Sequence, residues 1–209
     1  MKRISVLTAL LLTLGASYPA SVIADENVVP ADEFVYCTVC HGIQMGGNSV
    51  IQAPRLSGME RWYISRQLQS FKNGWRGAHP DDTYGQEMRP MAEVLSEKEI
   101  NQVATYVRSV SSAPPATTIQ GDINRGKALY SSCAACHKAD ASGNELLASP
   151  PLSGLNDWYL LTQLKNFKSG VRGNNPEDAY GMQMQAAAGL LADEQAMKDV
   201  VRYIASLRK

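Results

Sequence analysis

Basic runs are absent from this 209-residue sequence, and its formal charge is zero, with 20 basic and 20 acidic side chains. A chain without a cationic stripe lacks the electrostatic footprint of a nucleic-acid binder, so nucleic acid is excluded as a partner. Beyond the first 24 residues no segment is long and apolar enough to span a bilayer. No stretch alternates long enough to argue for a sheet. Histidine and cysteine are scarce, at three and four residues. That scarcity makes their placement informative.

All four cysteines and two of the histidines fall in two pentapeptides, Cys37-Thr38-Val39-Cys40-His41 and Cys133-Ala134-Ala135-Cys136-His137. Cys-x-x-Cys-His reads as a c-type haem attachment site. Two thiols add across the vinyl groups of one haem, and the adjacent histidine binds the iron from one side. Two copies imply two covalently held haems c. Three other readings are weaker. Zinc would require thiolates 96 residues apart to converge, and leaves each histidine unexplained. A redox dithiol belongs beside a strand–helix unit. A disulfide within each pair closes a strained, tiny ring.

The N-terminus reads as an export signal. Lys2 and Arg3 precede an apolar run from Ile4 to Leu14, and Val22-Ile23-Ala24 ends on small residues. This is the pattern of a secretory signal peptide, residues 1–24, cleaved after Ala24, with Ala20 as the weaker option. The run is short for a membrane anchor, which remains the alternative. Covalent haem attachment outside the bacterial cytoplasm agrees with export, so the expected location is the periplasm. The processed chain would carry about −2 charges before haem carboxylates are counted, too few to direct docking by net charge alone.

The sequence is a tandem repeat. A shift of 96 residues superimposes both haem motifs. It also superimposes Pro54 on Pro150, Trp62-Tyr63 on Trp158-Tyr159, Gln67-Leu68 on Gln163-Leu164, Arg76 on Arg172 and Met88 on Met184. Near the end the shift becomes 97, so Tyr106 meets Tyr203. The expected organisation is an N-terminal domain over 25–110, a Pro/Ser/Thr-rich linker over 111–121 and a C-terminal domain over 122–209. A unit of about 90 residues buries limited apolar surface alone, so each half is expected to need its haem to fold.

The fold class is all-α. Helices are expected from Pro30 to Val39 and from Asp122 to Ala135, leading into the haem motifs. Others are expected over Glu60–Asn73 and Asp157–Ser169, where Leu68 and Phe71, or Leu164 and Phe167, share a face. Ser96 with Glu99 forms a capping-box signal, and the matching helix begins near Asp193. The segments between, including those with Met88 and Met184, read as Gly- and Pro-rich loops.

Each iron needs a second axial ligand beside His41 or His137. A thioether is common there. Of eight methionines, only Met88 and Met184 are related by the repeat, so both are expected to be ligands. His79 is the rival at the first iron, but its counterpart is Asn175. Met91, three residues from Met88, is another. A ligating histidine gives its second N–H to an acceptor, and the carbonyls of Pro54 and Pro150, each 13 residues on, are the candidates. The alternative for both is an ordinary turn proline. Trp62, Tyr63, Trp158 and Tyr159 could pack on haem edges or bond propionates. Arg76 and Arg172 could pair with propionates. Core aromatics and solvated arginines serve equally well as readings of these six.

With these residues laid out, the chain resembles the dihaem cytochrome c4 family. The carrying motifs are the two CxxCH sites, PRLSG and PPLSG, WYISRQLQSFKNGWRG and WYLLTQLKNFKSGVRG, and the methionines preceding LSEKEI and LADEQAM. The resemblance implies two tandem class I cytochrome c domains, each wrapped around one haem c, with the propionate edges facing. It implies that the methionine seven residues before Leu95 or Leu191, Met88 or Met184, is the distal ligand. Gly126 and Tyr130 match the family's helix before the haem, whereas the first lobe has Pro30 and Phe34 there.

An iron with six fixed ligands changes oxidation state without offering a place for substrate. An electron carrier is therefore expected, not an enzyme. A quinol-oxidising complex would be the donor and a terminal oxidase or reductase the acceptor, with peripheral contact to membrane complexes. Two alternatives remain: an electron-transfer subunit of a dehydrogenase complex, and a dihaem oxidoreductase with an open iron.

Overall fold

A computed structural model describes residues 34–208. The signal segment and Pro30 lie outside the described residues. Among the described residues nine α-helices run in chain order: α1 Val35–His41, α2 Arg61–Lys72, α3 Thr83–Glu93, α4 Glu97–Ser109, α5 Ile123–Tyr130, α6 Ala134–His137, α7 Asp157–Ser169, α8 Ala179–Gly189 and α9 Glu194–Ser206. Among the described residues extended pairing is confined to two isolated bridges, Asn48 with Ala53 and Asn144 with Ser149. These are equivalent positions in the two repeats.

The helices start where side-chain oxygens take up free backbone N–H groups. Ser96 and Glu99 form the capping box that opens α4, and Asp193 accepts from Ala196 N at the start of α9. Helix α4 then buries Ile100, Val103, Ala104 and Val107. Helix α9 buries Met197, Val200, Val201 and Ile204 at the matching positions. In the second lobe α9 crosses α5 at Gly126. A Cβ there would lie 2.0 Å from the Asp199 carbonyl oxygen, so only glycine allows this approach. Tyr130 packs on Tyr203 with ring centroids 5.4 Å apart. In the first lobe Phe34 stacks on Tyr106 at 5.3 Å, so the equivalent aromatic contact survives.

Two expectations need correction. Met88 and Met184 sit within helices α3 and α8, not in loops. Asp82 and Asp178 each accept the backbone N–H three residues on, which nucleates these helices. Glycine and Pro90 hid α3 in the sequence, and α8 is too uniformly small and apolar to show a 3.6-residue period. Secondly, the helix expected over Asp122–Ala135 breaks into α5 and α6. Ser131 Oγ donates to the Ala128 carbonyl and Ser132 Oγ to that of Leu129. Such side-chain bonds compete with helix continuation, and Cys133 N turns back to Tyr130 O.

Residues 110–122 form no regular element but are tied down. Arg55 Nη2 donates to Ser112 O at 3.0 Å. Asp157, wholly buried, accepts from Thr118 Oγ1 at 2.7 Å, Ile119 N at 2.8 Å and Trp158 N at 2.8 Å. Burial raises the Asp157 pKa, but these donors outweigh it and hold the carboxyl below its ordinary value. Its contribution to stability is therefore present above the ordinary carboxylate pKa and disappears as pH falls through the depressed one. Asp157→Asn is expected to cost about 1–3 kcal/mol at neutral pH. The difference from the wild-type chain should narrow as pH falls below the ordinary carboxylate pKa, as read from denaturant midpoints at pH 7 and at a series of acidic pH values.

Candidate haem sites

Each lobe closes around an apolar cavity. The first is lined by Cys37, Cys40, His41, Pro54 and Met88, among others. The second is lined by Cys133, Cys136, His137, Pro150 and Met184. Helices α1 and α6 each end on the histidine, whose ring is 5% or 6% exposed. The thiols of Cys37 and Cys133 are partly buried, while Cys40 and Cys136 lie toward solvent.

The histidine rings are held by one bond each. His41 Nδ1 lies 2.7 Å from the Pro54 carbonyl oxygen and His137 Nδ1 lies 2.9 Å from that of Pro150. A carbonyl only accepts, so Nδ1 carries the proton and Nε2 keeps its lone pair. Burial lowers the pKa of both imidazoles, outweighing the carbonyl contact, and so favours the neutral form. A neutral ring with a free Nε2 is the form that ligates a metal.

Met88 and Met184 are half-buried and reach the cavities from α3 and α8. Met91 also lines the first cavity, one helical turn beyond Met88, and is 44% exposed. His79 lines neither. Its Nδ1 accepts the Asp81 backbone N–H at 3.1 Å in an exposed turn. Met45, wholly buried, adds to the wall of the first cavity where the second has the smaller Ala141 in the repeat.

The lobes meet along a polar seam. Tyr63, Gln67, Tyr159 and Gln163 line both cavities, so the two share a wall. Arg76 Nη1 donates to Gln67 Oε1 at 2.8 Å, and Arg172 Nη1 to Gln163 Oε1 at 2.6 Å. Arg172 Nη2 crosses the seam to Gln67 Oε1 at 2.7 Å. Trp158, from the C-terminal lobe, lines the first cavity. Trp62 lines neither, and instead stands edge-on to Tyr63 and beneath the Arg66 guanidinium. The glutamines and Arg66 carry no role in the sequence reading. The duplicated Gln-Leu pairs were the signal for the first.

Both seam arginines are buried and neither has a carboxylate within ion-pair distance among the described residues. Their Nε atoms have no hydrogen-bond partner. Burial pushes the Tyr63 hydroxyl pKa up, yet the surrounding Arg172, Arg76 and Arg66 pull it below its usual value. Buried, unpaired cations are costly. Two haems with their carboxylates at the seam would supply the missing charge, so the residues present fit the group.

The family model for cytochrome c matches residues 33–111 and again 123–208. Cytochrome c4 of Stutzerimonas stutzeri is 32% identical over 199 residues, covering 90% of this chain and 92% of that protein. The chain belongs to the dihaem cytochrome c4 family. Its fold is accordingly two tandem cytochrome c domains, and its four motif cysteines hold two haems c. It carries electrons and is not an enzyme. The crystal structure of reduced recombinant cytochrome c4 from Pseudomonas stutzeri superimposes with a TM-score of 0.65 at 25% identity, over 82% of this chain and 93% of that one. A thiosulfate dehydrogenase electron acceptor of Stutzerimonas stutzeri is 28% identical over 183 residues, covering 82% of this chain and 78% of that protein.

Proposed function

We propose that this cytochrome shuttles electrons in the periplasm from a quinol-oxidising complex to a terminal oxidase or reductase. The observation that carries the reading is that a buried histidine and a methionine, at matching positions of the repeat, line each cavity. His41 and Met88 would hold one iron, and His137 and Met184 the other. Haem supplies a one-electron iron(II/III) couple of raised potential when a thioether ligates it.

The chain's own residues do the rest. The Pro54 and Pro150 carbonyls orient the histidines and keep Nδ1 protonated. Apolar walls exclude water from the irons. Arg76 and Arg172 would pair with the haem carboxylates, and Tyr63 and Tyr159 form part of the wall that the two cavities share. With two protein ligands on each iron, no position would be left for a substrate to bind. The periplasmic lobes are residues 25–110 and 122–209, released by cleavage after Ala24, with 111–121 between them. No helix among the described residues is long and apolar enough to cross a membrane.

Ascorbate-reduced protein should be reoxidised by oxygen only when membranes bearing a terminal oxidase are added, and periplasmic fractions should contain the protein. Reoxidation independent of membranes, or recovery in the cytoplasm, would contradict the reading. The relative named for thiosulfate dehydrogenase favours a second reading, a permanent partnership with a dehydrogenase. Size-exclusion of native extract separates the two, since a shuttle elutes alone.

A further inference from the structure

The repeat is broken at two charged positions on the cavity walls. Arg66 stands where the second lobe has Thr162, and Glu87 where it has Gln183. Arg66 does not serve its own lobe's cavity. It crosses the seam and lines the second one. Its Nη2 donates to the Ala148 carbonyl at 2.6 Å, and its guanidinium lies 4.8 Å from the Tyr180 ring centroid. On its own side it stacks over Trp62 at 5.0 Å. Thr162 likewise lines the opposite cavity, the first, but brings no charge to it, and its hydroxyl donates to the Trp158 carbonyl one turn back.

The formal charge of the two walls therefore differs. The first cavity has Arg76 against Asp82 and Glu87, a net −1, whereas the second has Arg66 and Arg172 against Asp178, a net +1. Ferric haem carries one more positive charge than ferrous haem. A cationic wall penalises the oxidised form, and an anionic wall favours it. Glu87 is exposed and screened, so the half-buried Arg66 dominates.

Resting on the carrier reading above, we propose that Arg66 is a positioning residue for charge, reaching from the N-terminal lobe to raise the affinity of the C-terminal haem for an electron. The wild-type protein then fills the C-terminal haem first. The internal equilibrium runs from the N-terminal to the C-terminal lobe.

The test is a spectroelectrochemical titration of holoprotein, with haem methyl NMR signals assigning each potential to its lobe. Arg66→Thr, which installs the residue of the other repeat, should shift the electron distribution between haems roughly tenfold toward the N-terminal one. That corresponds to about 59 mV for a one-electron couple. Glu87→Gln should shift it in the same direction by less. Arg66→Lys loses the planar stacking but keeps the charge, and should keep the wild-type order and most of the separation. An N-terminal haem of higher potential in the wild type would overturn the proposal. So would an unchanged separation in Arg66→Thr, or Arg66→Lys moving it as far as Arg66→Thr does. Irreversible or multi-electron titration of either wild-type haem would instead sink the carrier reading, so the two failures are distinguishable.

Discussion

Met184→Ala is expected to abolish the near-infrared sulfur-to-ferric-iron band of one haem and leave that of the other. The C-terminal iron should become high-spin or water-ligated, and its potential should fall by more than the equivalent of a tenfold change, about 59 mV. Met184 is the more telling of the two methionines. In the first lobe Met91 follows Met88 by one turn on α3 and also lines the cavity, so Met88→Ala could recruit a neighbouring sulfur. The second lobe has Ala187 at that position, and Met182 on α8 does not line the cavity. No sulfur stands ready to replace Met184. Persistence of both bands in Met184→Ala would remove it from the ligand set.

Removing both thiols of one lobe should unfold that lobe. In Cys133→Ala/Cys136→Ala the covalent hold on the second haem is lost, and with it the mass that fills the cavity. That cavity measures about 170 Å³. At about 24 cal/mol per Å³ an empty space of this size costs about 4 kcal/mol, a large share of the roughly 5–15 kcal/mol that holds a small domain together. The unpaired Arg172 guanidinium adds a further penalty. Calorimetry should therefore show one cooperative transition where the wild-type protein shows the melting of both lobes. A native-like transition from the haem-free lobe would contradict the coupling of folding to haem.

The sites were more legible than the helices that carry them. Covalent haem chemistry demands a rigid local spacing, so Cys37, Cys40 and His41 declare themselves without a fold. The repeat then separated Met88 and Met184 from six other methionines. Helix α7 was readable because its apolar residues recur on one face and its end at Gly170 is a left-handed turn. Helix α3 was not, because its start depends on Asp82 reaching Gly85, a capping event that the eye passes over when glycine and proline are near. The seam was the least legible part. Gln67, Gln163 and Arg66 act through contacts that form only once the two repeats pack face to face, and no local pattern encodes that packing. Trp62 and Trp158 are equivalent in the repeat yet differ in the structure, because Arg66 occupies the ring of one and Thr162 leaves the other free to line the opposite cavity.

An electron carrier of this kind needs two permanent protein ligands on both irons. Exposure of the dithionite-reduced holoprotein to carbon monoxide at neutral pH tests it directly. An unchanged ferrous spectrum is expected for both haems. A carbon monoxide adduct forming readily at either haem of the native protein would mean an open coordination position, and the assignment as an electron carrier would fail.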